Sequence, residues 1–178
     1  AVLVAGCSRE KEPAPAPQLT FHEVMKDEVD PKADVIWEVG NAAIGEQAGI
    51  DPARMSDADW NRLADGAVSL EQSVKKIAQM DPLILAKPGV KIADEGIPGG
   101  HTAAMVQTRF DKEPEKLRAM ATALAVHADD LAKAARAHDV ARAGLLIDQL
   151  DGVCENCHLE FWYPDQKELV EKFINATS

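Results

Sequence analysis

"CENCH", Cys154 to His158, places two of the chain's three cysteines three residues apart with a histidine directly behind them. The spacing C-x-x-C-H is the attachment signature of c-type haem: both thiols add to the haem vinyl groups and the histidine becomes the proximal iron ligand. A structural zinc site would need four ligands, and no second Cys-x-x-Cys or histidine pair supplies them. A redox dithiol of the thioredoxin kind would need strands around it. Cys154 and Cys157 are therefore read as thioether cysteines of one covalent haem c, and His158 as its iron ligand.

The surrounding chain is helical in pattern. Upstream of the motif, Pro114 to Tyr163 is alanine-rich and has no further proline until Pro164. The stripe Leu117, Met120, Ala121, Leu124, Ala128, Leu131, Ala135 loses phase near "AHDVA", where Asp139 can cap a new helix carrying Leu146, Leu150, Val153, Cys157 and Phe161. Earlier, "SDADW" pairs Ser56 with Asp59 in a capping-box pattern that opens the stripe Trp60, Leu63, Ala67, Leu70, Val74, Ile77. A first helical stretch runs from about Leu19 to Gln47, with His22, Met25, Val29, Ala33 and Ile36 at three-and-four spacing, and Asp30–Pro31 is expected to bend or break it. Asp81 to Gly100 carries Pro82, Pro88 and Pro98 with four glycines, the composition of a long loop. No strand signal appears. Four amphipathic stretches in 178 residues predict an all-α fold, an antiparallel up-down-up-down four-helix bundle. In that arrangement Met25 and Cys157 lie at similar depth from one end, so a haem hung on the last helix could meet Met25.

The N-terminus reads differently. "AVLVAGCS" is a short apolar run ending in small residues before Cys7, and it resembles the tail of a bacterial lipoprotein signal, with V-A-G-C as the lipobox and Cys7 as the lipidated residue. The competing reading is an ordinary free or buried cysteine. "SREKEPAPAPQ" cannot build a core and reads as an extended spacer. The expected organisation is thus 1–18 as signal remnant, lipidated cysteine and flexible tether, and 19–178 as the haem-carrying domain. No apolar run reaches the roughly 18 residues that span a bilayer, so the membrane is met through the lipid anchor only. Thioether attachment and lipobox both point to the periplasm, and Ser8 after Cys7 resembles the Gram-negative signal for outer-membrane sorting.

A C-x-x-C-H near the C-terminus, "CENCHLEFW" on the last helix, together with "MKDEVDPKADVIWEVG" in the first, resembles the class II cytochromes c, the cytochrome c-prime and cytochrome c556 group, over roughly Leu19 to Pro164. The resemblance implies a methionine of the first helix as sixth iron ligand in low-spin members, at the position of Met25. Core packing is the competing role for Met25, and His22, Met80, His101 and Met105 are rival ligands. His127 and His138 are read as solvated or satisfied, and Trp37, Trp60, Phe161, Trp162 and Tyr163 as packing aromatics. The resemblance also implies homodimerisation through the first two helices as a candidate assembly.

With His158 and Met25 both bound, no coordination position is open, and the expected work is one-electron transfer with redox partner proteins. With Met25 in the core instead, the iron is five-coordinate and the protein is expected to bind nitric oxide or carbon monoxide, as the c-prime members do. No distal acid–base pair is evident, so no enzyme is expected. A lipoprotein without haem is the third reading, excluded by a positive haem stain under denaturing conditions. The formal net charge is −11, and Leu19 to Trp60 holds ten acidic residues against three basic ones, a net of −7. That sign excludes a nucleic-acid partner and favours a basic patch on a redox partner. Electron-transfer rates with such a partner are expected to fall as ionic strength rises, measurable by stopped flow; rates indifferent to salt remove the steering role of the acidic region.

Overall fold

The computed structural model describes residues 18–45, 49–170 and 172; the Cys7 lipobox and most of the tether lie outside them. Among the described residues the chain is mostly helical, with six α-helical segments and no strand. These are α1 (Phe21–Val24), α2 (Asp30–Ala42), α3 (Asp57–Ala78), α4 (Ala103–Lys112), α5 (Pro114–Arg136) and α6 (Val140–Cys157), with π-helical turns at Met25–Val29 and His158–Trp162.

Local chemistry explains the boundaries. Ser56 caps α3 by accepting from the Asp59 N–H, and the Asp59 carboxylate accepts in return from the Ser56 N–H. Asp139 caps α6 through the Arg142 N–H. Both caps lie where the sequence places them. The α1 start has a capping box of its own, Thr20 with Glu23.

Asp30–Pro31 neither breaks nor ends the first helix. Pro31 has no N–H to give to the carbonyl four residues back, and the chain answers by widening one turn: Asp30 N–H donates to Met25 O, five residues back. The widened turn also corrects the stripe read from sequence. The residues that face the core are Phe21, Val24, Val29, Ala33, Ile36 and Val39, with a step of five from Val24 to Val29. A strict 3.6 period instead put His22 and Met25 on the core stripe. Absorbing the extra residue takes both off it, and Met25 is left half-buried beside the core.

α3 packs principally on α5, and its other flank on α2; α6 packs on α5 and touches α2. Ala121, Ala125, Ala128, Ala132 and Ala135 are buried in α5, as are Leu63, Ala67, Leu70, Val74 and Ile77 in α3. Small residues on one helix let the larger ones of the other fill the seam at close range. α2 meets α6 at Gly40, where a Cβ would stand 2.8 Å from Ile147 Cγ2.

α4 is an element that sequence reading did not separate from its surroundings. Thr102 caps it, and Val106 and Phe110 are its buried anchors. The long connection before it lacks regular helix, as its prolines and glycines predict, yet it is held down. Phe21 and His22 donate their N–H groups to Ile84 O and Leu85 O, both at 2.8 Å, which satisfies donors that the start of α1 leaves free. Gln107 bridges Leu85 N–H and Leu83 O, Lys87 pairs with Glu23, and Leu83, Leu85 and Ile92 are buried.

Leu63 is fully buried in the α3 seam. Leu63→Ala is expected to cost about 2–5 kcal/mol, and Ser56→Ala, on an exposed cap, about 1 kcal/mol; urea midpoints at constant slope measure both.

Candidate functional site

The ends of several elements meet at one side of the molecule. Phe21 of α1 lies edge-on to Phe110 of α4 with centroids 5.0 Å apart, and Phe110 lies edge-on to Phe161 of the second π-turn at 5.5 Å. Arg109 donates to Phe161 O at 3.0 Å, and Lys116 of α5 pairs with Glu160. Beside these aromatics opens a cavity of about 760 Å³, within the range of about 300–1,000 Å³ usual for small-molecule and cofactor sites.

Cys154, Cys157, His158 and Met25 all line it. Of the rival ligands, His22 lines it as well, while Met80, His101 and Met105 do not. Met80 is buried in the core and Met105 is exposed. His101 is buried and donates through Nε2 to Asp165 at 3.1 Å. The other two histidines are satisfied elsewhere, His127 by donating to Leu146 O at 2.7 Å and His138 by stacking on Trp60. Of the packing aromatics, Trp60 and Phe161 are buried, whereas Trp162 and Tyr163 are only half-buried and border the cavity.

Several lining residues were not singled out as site residues in the sequence. Met120 of α5 is a second methionine at the cavity, which a core stripe conceals. Lys26, Asp30, Lys91 and Asp94 bring charge to it, the latter pair from the long connection. Their signal depends on which segments fold together, and no spacing rule carries it. The rest of the lining is apolar, with Ile77, Leu117 and Leu124 among it.

Cys154 and Cys157 are free thiols, half-buried. Burial is the first cause that pushes Cys154 up from 9.0 to about 11, with Asp151 and Asp30 adding to it. Burial likewise pushes Cys157 up to about 12, aided by Cys154 and Glu160. Burial thus disfavours the thiolate form at both cysteines. Among the described residues no group of three or more His, Cys, Asp or Glu side chains is arranged to hold a metal ion. The Asp30 carboxyl is raised, chiefly by desolvation, against the opposing pull of His158 and His22.

No family model, curated protein or solved structure matches the chain. Among the described residues no helix is long and apolar enough to cross a membrane.

The thiolate is the form that reacts with alkylating reagents. Iodoacetamide at pH 8 is therefore expected to label Cys154 of the folded, haem-free chain about a hundredfold more slowly than in urea, and Cys157 more slowly still. Mass spectrometry of timed aliquots measures this, and equal rates in both states would contradict the burial described.

Proposed function

We propose that the chain is a c-type cytochrome, tethered to a bacterial membrane in the periplasm, that carries out one-electron transfer through a low-spin His/Met haem. The observation that carries the reading is that both cysteines and the histidine of C-x-x-C-H share one cavity with Met25, more than a hundred residues away in sequence. The donor set suits the group: cysteine thiols add across vinyl groups, imidazole nitrogen is a good iron ligand, and thioether sulfur is a soft one.

In this proposal Cys154 and Cys157 hold the haem covalently, His158 would ligate from the π-turn that follows α6, and Met25 from the π-turn after α1. When bound, haem supplies the one-electron couple of its iron. Ile77, Leu117 and Leu124 would keep water from it. The likeness to class II cytochromes c supports an antiparallel up-down-up-down four-helix bundle formed by residues 21–42, 57–78, 114–136 and 140–162, with 79–112 as an elaborated connection. α3 in contact with α2 and α5, and α6 in contact with α5 and α2, are consistent with that order. Cys7, with the tether, would hold the bundle near its partners.

A five-coordinate haem that binds nitric oxide or carbon monoxide is the second reading, favoured by the apolar lining around a methionine that is only half-buried. Absorption spectra of the haem-matured protein, with and without carbon monoxide, separate the two. A low-spin spectrum that turns high-spin and binds carbon monoxide in Met25→Ala, and stays low-spin in Met120→Leu, is the expected result. A wild type already high-spin and unchanged by Met25→Ala would transfer the assignment to the gas-binding reading, and a loss confined to Met120→Leu would make Met120 the ligand.

A further inference from the structure

The two residues between the cysteines are Glu155 and Asn156. Asn156 is exposed, but Glu155 is engaged. Its Oε2 accepts a hydrogen bond from the Tyr163 hydroxyl at 2.9 Å and lies 3.6 Å from His158 Nδ1. The Tyr163 ring stands 5.8 Å from the His158 ring. Helical spacing puts Glu155 and His158 on one face, three residues apart. The π-turn brings Tyr163 back over them, closed by the Tyr163 N–H donating to His158 O at 3.0 Å.

An imidazole that gives Nε2 to a metal keeps a proton on Nδ1. The acceptor of that proton fixes the ring's tautomer and rotation and makes the bound nitrogen a stronger donor. A lone glutamate on a helix surface would lose rotamer freedom to serve there; the Tyr163 hydroxyl has already confined this one.

We infer that Glu155, held by Tyr163 within 3.6 Å of His158 Nδ1, closes to become the acceptor of the Nδ1–H hydrogen bond when haem is bound, and that this pair sets the donor strength of the proximal ligand. The inference rests on the haem reading above. Glu155 and Tyr163 are positioning residues: no proton leaves His158, and no electron passes through either side chain. A stronger imidazole donor favours ferric iron, so the pair holds the midpoint potential down.

The test is potentiometry of the haem-loaded full chain. Glu155→Gln keeps the shape but weakens the acceptor, and is expected to raise the ferrous-to-ferric ratio at a fixed potential about tenfold, a positive shift of about 59 mV for one electron. Tyr163→Phe is expected to move the potential in the wild-type background and to leave it unchanged in the Glu155→Gln background, because its effect passes through Glu155. Asp30→Asn is the control, since Asp30 is a carboxylate in the field of His158 that makes no contact with Glu155 or Tyr163 in the hydrogen bonds described. A shift at Asp30 acts through space and fades with added salt, whereas the Glu155 shift persists.

A silent Glu155→Gln, an equal salt-insensitive shift in Asp30→Asn, or additive effects of the Glu155 and Tyr163 substitutions each overturn the inference. Tyr163 lies outside C-x-x-C-H, so Tyr163→Phe carries the test if Glu155→Gln fails to accumulate, and a silent Tyr163→Phe then overturns it. A wild-type chain that carries no haem overturns the haem reading together with this one; a haem-loaded wild type with silent variants overturns this one alone.

Discussion

The seam between α3 and α5 is the constraint on which the molecule is built. Alanines at 121, 125, 128, 132 and 135 remove the bulk from one side of it, and the larger side chains of α3 occupy the space released. The flanking helices rest on that pair, α2 on α3 and α6 on α5. Where α2 and α6 meet, Gly40 admits Ile147. Both contact residues are remote along their helices from Met25 and Cys157. The flanking helices are thus joined at one end, and the cavity occupies the space between their other ends. The edge-on contacts of Phe21, Phe110 and Phe161 brace it from three separate elements.

How far the sequence disclosed this follows from which signals are local. Ser56 with Asp59 and Asp139 with Arg142 are short-range hydrogen bonds, and the sequence locates α3 and α6 through them. C-x-x-C-H is equally local. Met25 was selected by likeness to a family and by depth along a helix, and it does border the same cavity. The phase of the first helix was misread because a 3.6-residue template has no place for a five-residue step, although Pro31 is visible as the residue that demands one. α4 lies between the Asp81–Gly100 loop and Pro114, a stretch too short for a periodic stripe to declare itself. Met120, Lys91 and Asp94 could not be assigned at all, since their membership depends on how α5 and the long connection pack, which no spacing rule reports.

Charge distribution separates the cavity from the surface. Many ion pairs outside it are exposed or half-exposed helix pairs such as Lys133 with Asp129 and Lys75 with Glu71, which solvent screens and which add little to stability. Glu28 is different: from the π-turn that carries Met25 it gathers Lys76 and the buried Ser73 of α3 together with Lys32 of α2. Glu23 likewise ties α1 to the long connection through Lys87, and that ion pair, with the Thr20 contacts, lowers its carboxyl to about 2. Acidic side chains on the first helix therefore do structural work around the cavity, and the negative charge left to meet a partner is smaller than a count of residues suggests.

The cavity's walls are drawn from stretches of chain between Phe21 and Tyr163, nearly the whole described length, whereas Cys154, Cys157 and His158 lie within five consecutive residues. Contacts of large sequence separation carry the greatest loop-closure cost and complete late in folding. Two thiols and an imidazole spaced for one helical turn therefore exist before there is any enclosure around them. Whatever reacts with Cys154 and Cys157 meets ordinary, accessible cysteines while the chain is still open, and half-buried ones once the last walls arrive.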